Sequence, residues 1–116
     1  MLLSIGEISK MFNISIQTLR FYDKQKLFVP QYRDEKTGYR KYDFSQIYSL
    51  ALICYLRRAG FSIDQIKSYM NLRSPDLAIK QLKEQSILLK NQYQMILNID
   101  SAIQRKIKYV EDERNN

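Results

Sequence analysis

The chain has 116 residues, of which 45% are hydrophobic and 27% charged, and this composition is typical of one globular domain with an appendage. It contains no histidine and one cysteine, Cys54, so it offers no metal-ligand set, no intramolecular disulfide and no histidine-based triad, and we expect neither an enzyme nor a metal or other cofactor. The net charge of +7 favours a polyanionic partner, and residues 1–74 carry 12 of the 19 basic side chains and seven of the nine tyrosines. No apolar run is long enough for a membrane span and no signal peptide is evident, so we expect a cytoplasmic protein without a membrane partner.

The first two predicted helices are short and closely spaced. Ser4 and Glu7 have the spacing of a capping box at the start of the first helix, which we expect to end near Asn13. Ser15 is the expected N-cap of a second helix that continues to about Gln25. Two helices joined by about three residues form a helix-turn-helix candidate.

The second helix has a candidate DNA-reading face. Its buried stripe is predicted at Ile16 and Leu19, and the 100° step per residue then defines the opposite face. That face and its margin consist of Gln17, Thr18, Arg20, Phe21 and Lys24. A solvated helix side with one exposed aromatic ring would show the same pattern, so this helix alone does not decide the function.

A β-hairpin is predicted directly after these helices. Its strands are residues 31–33 and 39–42. Its five-residue turn ends at Gly38, where the turn geometry favours a positive φ. The hairpin would project Arg33, Arg40 and Lys41 like a wing. Charged hairpins are often plain solvated turns, and the position after a helix-turn-helix candidate favours a functional one.

Two more helices are predicted between residues 43 and 71. Asp43 and Gln46 have capping-box spacing and open a third helix that continues to about Ala59 and is stopped by Gly60. Its inward stripe is predicted at Ile47, Leu50, Ala51 and Cys54. The fourth helix begins at Ser62 and Gln65, with Ile63, Ile66 and Met70 inward.

Three residues of the third helix have alternative interpretations. Because Cys54 lies on the predicted buried stripe, we expect an inert core thiol rather than a reactive sensor. Arg57 and Arg58 lie in the last turn, where cations complement the helix dipole, and they are also placed to clamp phosphate. The two roles of these arginines are compatible.

A single long helix is predicted from about residue 75 to residue 112. Apolar residues alternate steps of three and four along it over four heptads, which is typical of a coiled coil. Such a helix is too long for a small domain to cover, so we expect a second copy to bury its stripe; packing on a further domain is the alternative. The predicted dimerisation residues are Ile79, Leu82, Leu89, Tyr93, Ile96, Ile103, Ile107 and Val110, and the polar residues Ser86 and Asp100 interrupt them.

Four blocks of the sequence resemble the MerR family of bacterial transcription regulators in order and spacing. They are Ile5-Gly6-Glu7-Ile8-Ser9-Lys10, Ser15-Ile16-Gln17-Thr18-Leu19-Arg20-Phe21-Tyr22-Asp23, Gly38-Tyr39-Arg40-Lys41-Tyr42 and Leu56-Arg57-Arg58-Ala59-Gly60-Phe61-Ser62-Ile63. The resemblance covers about residues 4–73, and the long helix after them matches the family's dimerisation helix. Residues 22–24 and 32–38 look most like the multidrug-sensing activators.

The resemblance implies a mainly α fold. Residues 1–73 would form a winged helix-turn-helix with a small β-hairpin wing, residues 74–112 a long coiled-coil dimerisation helix, and residues 113–116 a polar tail or linker. The second helix would enter the major groove, and the third and fourth helices would form a second wing. The pattern and the resemblance together assign DNA binding to Ser15, Gln17, Thr18, Arg20, Phe21, Tyr22, Lys24, Tyr39, Arg40, Tyr42, Arg57 and Arg58. Phe21 departs from the family's usual tyrosine, which removes one hydroxyl contact.

The implied function is activation of transcription by an antiparallel coiled-coil homodimer that bends and untwists promoter DNA. Its partners would be double-stranded promoter DNA, a second copy of the chain and RNA polymerase. Residues 75–116 contain neither Cys nor His, so we expect neither metal sensing nor redox sensing through a cysteine cluster. No effector is assigned. Multidrug sensors of the family carry a ligand-binding domain beyond this point, so the core of a longer regulator and a short regulator both remain open. The competing interpretation is a coiled-coil adaptor with only non-specific affinity for nucleic acid.

Overall fold

The computed structural model describes all 116 residues and divides the chain into two compact units, Met1–Asn71 and Leu72–Asn116. The first unit contains all but the last of the secondary-structure elements. In chain order the elements are β1 (Leu2–Ser4), α1 (Ile5–Phe12), α2 (Ile16–Lys24), β2 (Tyr32–Arg33), β3 (Arg40–Asp43), α3 (Gln46–Arg58), α4 (Ile63–Met70) and α5 (Pro75–Asn115).

Helices α1 and α2 form the predicted helix-turn-helix. The Ser4 hydroxyl accepts from the Glu7 N–H at 3.1 Å, and the Glu7 carboxylate accepts from the Ser4 N–H at 3.0 Å, so the predicted capping box is confirmed. Asn13 ends α1 in the left-handed conformation with a φ of 53°. Ser15 caps α2, its hydroxyl accepting from the Thr18 N–H at 3.0 Å. These local bonds fix the turn between the two helices.

A three-stranded antiparallel sheet with the order β1-β3-β2 supports the hairpin. The register pairs Leu3 with Tyr42 on one side of β3 and Arg33 with Arg40 on the other. Gly38 has the predicted positive φ, at 73°. The sequence analysis missed β1, because a three-residue strand directly before a helix has no periodicity of its own. Strand β1 anchors the β2–β3 hairpin, which would be only marginally stable alone.

The start of α3 differs from the predicted capping box. The Gln46 side-chain oxygen accepts from the Asp43 N–H at 2.9 Å, as a box requires, but the Asp43 carboxylate accepts from the N–H of Ser45 at 3.0 Å rather than from that of Gln46. Helix α3 therefore begins at Gln46 without a side-chain cap. At the start of α4 the predicted pair Ser62 and Gln65 does form a complete box.

The core of the first unit is apolar and includes residues from each of its four helices. The fully buried helical side chains are Ile8, Leu19, Leu50, Ile53, Leu56 and Ile66. The predicted inward stripe of α3 is therefore partly wrong, since Ala51 is exposed while Ile47 and Cys54 are half-buried. Nearly all faces of α3 carry apolar residues, so spacing alone does not identify the packed one.

Two other helices differ from their predicted buried stripes. Ile16 of α2, predicted to be buried, is 38% exposed, because it lies in the first turn of its helix. In α4, Ile63 and Met70 are only half-buried, and Ile66 between them is the buried residue.

Helix α5 is continuous over 41 residues, which corresponds to about 62 Å. The Ser74 hydroxyl accepts from the Asp76 N–H at 3.2 Å, and Pro75 occupies the first turn, as predicted. Residues 113–115 continue the helix rather than forming a separate tail. No helix of the chain, α5 included, combines the length and the hydropathy of a membrane-spanning helix.

Candidate nucleic-acid interface

One face of α2 is polar, basic and exposed. Gln17, Arg20 and Lys24 are exposed, Thr18 is half-buried, and the ring of Phe21 is 48% exposed. The opposite face packs inward through Leu19, which is fully buried. The predicted reading face is thus on the surface, and a major groove is wide enough to admit an α-helix such as α2.

Ser15 and Thr18 begin this face and are already paired with each other. The Ser15 hydroxyl donates to Thr18 Oγ1 at 2.8 Å and accepts from the Thr18 N–H at 3.0 Å. Both hydroxyls retain lone pairs and lie at the end of the helix where the backbone dipole attracts phosphate. Their arrangement serves as a helix cap and is compatible with a DNA contact.

A basic cleft of about 480 Å³ lies between α2 and the hairpin. Four cations and one carboxylate line it, namely Arg20, Asp23, Lys24, Arg33 and Arg40. Arg40 donates from Nε to Asp23 Oδ2 at 2.9 Å, and Arg33 donates from Nη2 to the same oxygen. The cleft keeps a net positive charge, which suits a phosphate group.

The outer face of the hairpin carries further candidates. Tyr39 is 71% exposed and Lys41 is exposed, and both line a shallow hollow of about 290 Å³ with Ser4 and Ile5. The hairpin turn is held by Asp34, whose carboxylate accepts from the N–H groups of the second and third residues after it. These bonds lower the pKa of Asp34.

Two tyrosines assigned to DNA binding lie in the core instead. Tyr22 is 7% exposed and Tyr42 is fully buried, with its ring stacked on Phe28. Side chains alternate along a strand, so the exposed Lys41 and the buried Tyr42 point to opposite faces of the sheet. Burial removes both tyrosine rings from the surface, and their position corrects the sequence-based assignment.

Arg57 and Arg58 lie at the end of α3, as predicted, and both are exposed. Arg57 donates from Nη1 to the carbonyl of Phe61 at 3.0 Å, so it helps to fix the turn between α3 and α4. Arg58 is exposed and makes no hydrogen bond of this kind. Half-burial raises the pKa of the neighbouring Cys54 thiol, and this favours the unreactive thiol form.

The sequence analysis did not identify Asp23 as a site residue, and it named Arg33 only as a wing residue. The predicted five-residue turn would place Tyr39 opposite Arg33, whereas the structure leaves six residues between the strands and pairs Arg33 with Arg40. Two like charges in that position destabilise the hairpin, and a nearby carboxylate or an anionic ligand offsets their repulsion. Asp23 is 10 residues from Arg33 and 17 from Arg40, so no local pattern indicates which carboxylate it is.

These features define a winged helix-turn-helix protein, with a basic helix face beside a basic hairpin. The model of the MerR HTH family of regulatory proteins matches residues 3–72, and the chain belongs to this family. The multidrug-efflux transporter 1 regulator of Bacillus subtilis is 36% identical over 112 residues, which are 91% of this chain and 40% of that protein. The chain spans about two-fifths of the length of this relative and of the multidrug-efflux transporter 2 regulator.

Solved structures show the same fold. The N-terminal part of the Bacillus subtilis multidrug transporter activator, MtaN, superimposes with a TM-score of 0.78 at 24% identity, covering 90% of this chain and 97% of that one. EcmrR, in a complex with DNA, superimposes with a TM-score of 0.72 at 30% identity, covering 91% of this chain and 40% of that one. The fold of this chain is therefore shared by these two structures over about nine-tenths of its length.

Proposed function

We propose that this chain is a sequence-specific DNA-binding transcription regulator that works as a dimer and bends and untwists promoter DNA. The observation that carries the proposal is the basic cleft between α2 and the hairpin, beside the exposed polar face of α2. Base edges would be read from α2, and phosphates would be held by the hairpin and by the end of α3. The proposed role is binding rather than catalysis, and a regulator of bacterial promoters would work in the cytoplasm.

The proposed interface consists of the exposed and half-buried members of the sequence-based assignment together with two residues that the sequence analysis named only as wing residues. On α2 and at its cap they are Ser15, Gln17, Thr18, Arg20, Phe21 and Lys24. On the hairpin they are Arg33, Tyr39, Arg40 and Lys41, of which Arg33 and Lys41 are the additions. At the end of α3 they are Arg57 and Arg58.

The exposed apolar residues of α5 support a homodimer. Ile79, Leu89, Tyr93, Ile96 and Ile103 are each between 43% and 63% exposed, and so are Ile107 and Val110 near the end of the helix. An uncovered apolar stripe of this length is rare on a monomer, and two copies in an antiparallel coiled coil would cover it. Residues 1–73 and the helix would then be the DNA-binding and dimerisation parts.

The dimer explains how promoter DNA would be distorted. Two DNA-binding units joined by a stiff helix pair hold two half-sites at a fixed spacing, whereas one monomer cannot stress the base pairs between them. A bend of this kind costs about 1–6 kcal/mol, which contacts to phosphates on both half-sites would offset. Untwisting would align promoter elements for RNA polymerase. Because two relatives are named as regulators of multidrug-efflux transporters, a transporter promoter is the first candidate target.

The experiment compares duplex binding by the unaltered chain, Arg20→Ala and Lys83→Ala over a series of salt concentrations. Each lost phosphate contact lowers the slope of log affinity against log salt by about 0.9. We expect Arg20→Ala to lower both the affinity and the slope. Lys83→Ala removes the same charge from an exposed position on α5 and should change neither, and equal losses in both variants would favour an adaptor with non-specific affinity.

A further inference from the structure

Two arginines of the hairpin converge on one carboxylate oxygen of α2. Arg40 Nε lies 2.9 Å from Asp23 Oδ2, and Arg33 Nη2 contacts the same oxygen. The Asp23 side chain is only 10% exposed, whereas Arg40 is 25% and Arg33 is 51% exposed. A shielded carboxylate with two charged donors holds its partners more firmly than an ion pair in open solvent.

The same two arginines are direct partners across the hairpin. The register of β2 and β3 places Arg33 opposite Arg40. Like charges in that position repel each other, and a two-residue strand such as β2 has few backbone hydrogen bonds with which to resist. Asp23 offsets this repulsion from outside the hairpin. It therefore contributes both to the shape of the hairpin and to its attachment to α2.

Asp23 also lies on the helix that carries the proposed reading face. It is in the last turn of α2, with Arg20 one turn before it and Lys24 directly after it. Phosphate contacts set the position of a protein on a duplex, and base contacts then distinguish one sequence from another. If the distance between the hairpin and α2 is fixed, the phosphate contacts and the base contacts form together at one position along the duplex.

We infer that Asp23 is a specificity-determining positioning residue, which holds Arg33 and Arg40 so that phosphate contacts and base contacts form together only on the correct sequence. The inference rests on the proposed function. Removing the charge of Asp23 has two opposite consequences. Attraction to any duplex rises because four cations remain in the cleft, while discrimination falls because the hairpin loses its charged link to α2.

The test is Asp23→Asn in the full chain, with two duplex probes of equal length and composition. One is a duplex recovered by in vitro selection with the unaltered chain, and the other is its scrambled version. We expect affinity for the scrambled duplex to rise and its salt slope to steepen by about 0.9 for each phosphate newly contacted. The ratio of the two affinities should fall about tenfold, which is the effect of one misplaced base contact.

Glu35→Gln is the matched control, because Glu35 is an exposed residue of the hairpin turn and its loss changes the net charge equally. It should raise both affinities together and leave their ratio unchanged. A residue that only stabilises the fold would lower binding to both probes in Asp23→Asn. An unchanged ratio in Asp23→Asn, or an equal fall in Glu35→Gln, would overturn the inference.

A second pair of variants covers the case in which Asp23→Asn fails to fold. In Arg33→Gln the repulsion across the hairpin is absent, so adding Asp23→Asn removes only the link to Arg40. The double variant should still discriminate less than Arg33→Gln alone, and equal discrimination would contradict the inference. If the unaltered chain itself binds both probes equally, the proposed function fails, and that result is visible before any variant is compared.

Discussion

The ring of Tyr42 in β3 stacks on that of Phe28, with centroids 5.1 Å apart and an angle of 7° between the ring planes. Phe28 lies in the segment after α2, so this contact attaches the central strand of the sheet to the end of the helix-turn-helix. The stack joins the hairpin to the segment after α2, and the Asp23–Arg40 ion pair joins the hairpin to α2 itself, so one contact is apolar and the other charged. The geometry of the basic cleft depends on both.

Tyr42→Phe is expected to stabilise the first unit. The Tyr42 hydroxyl is buried without a hydrogen-bond partner, and burial raises the pKa of this group. Removing it keeps the ring stack and abolishes the desolvation cost, so the free energy of unfolding should rise by about 1 kcal/mol. Denaturant unfolding measures this change. DNA affinity should stay the same, and a loss of affinity would mean that Tyr42 contacts DNA after all.

Lys26→Gly is expected to be stabilising as well. Lys26 follows α2 with a φ of 58°, and its N–H donates to the carbonyl of Asp23 at 3.0 Å in a helix-ending turn. A side chain in the left-handed region costs about 1–2 kcal/mol, and glycine removes this strain. Glycine also loses more conformational entropy on folding, so the net gain in stability should be about 0.5–1 kcal/mol. Asn13→Gly should gain less, because asparagine tolerates this conformation. A clear loss of stability in Lys26→Gly would contradict the account.

Glu7 is expected to contribute to the acid sensitivity of the fold. The Ser4 backbone N–H and hydroxyl hold the pKa of Glu7 below its ordinary value of 4.5. A carboxylate with a lowered pKa stabilises the folded state above that ordinary value, and the contribution is lost as pH falls through the folded pKa. Glu7→Gln retains the oxygen that accepts from Ser4 but does not titrate.

The measurement is unfolding of both proteins from about pH 7 to about pH 3. The unaltered chain should lose more stability than Glu7→Gln over this range, and the difference between them should shrink below the ordinary pKa. Parallel curves would show that the charge of Glu7 does not contribute. Asp34 and Asp43 also have lowered pKa values, so Glu7→Gln should retain some acid sensitivity.

Ile96→Asp is expected to break the proposed dimer. Ile96 is 63% exposed on α5, and a homodimer would bury two copies of it. Losing about 1.5–3 kcal/mol for each copy raises the dissociation constant at least about a hundredfold. Sedimentation equilibrium measures that constant. Asn91→Asp introduces the same carboxylate beside the stripe and should leave the dimer intact, and a dimer that survives Ile96→Asp would show that this stripe is not the interface.

Short-range features of the fold could be predicted from the sequence, because neighbouring residues determine them. The capping boxes at Ser4 and Ser62, the left-handed Asn13 and the positive φ of Gly38 all follow from residue type and spacing. The long helix α5 follows from the heptad pattern without a Gly or Pro after Pro75.

Long-range features could not be predicted in this way. Strand β1 exists because Leu3 pairs with Tyr42, 39 residues later in the chain. The inward position of Tyr42 and the ion pairs of Asp23 likewise depend on how the hairpin packs against α2. The sequence therefore indicated most of the cationic surface, but not the carboxylate that organises it.

The central claim is that a dimer of this chain reads two half-sites and distorts the DNA between them. The most direct measurement is in vitro selection of genomic duplexes by the purified chain at about physiological salt, followed by footprinting of the recovered sites. The account predicts an inverted repeat with protection of both halves and hyperreactive base pairs at its centre. Recovery of duplexes without a common sequence, or protection of a single half-site with an undistorted flank, would contradict it.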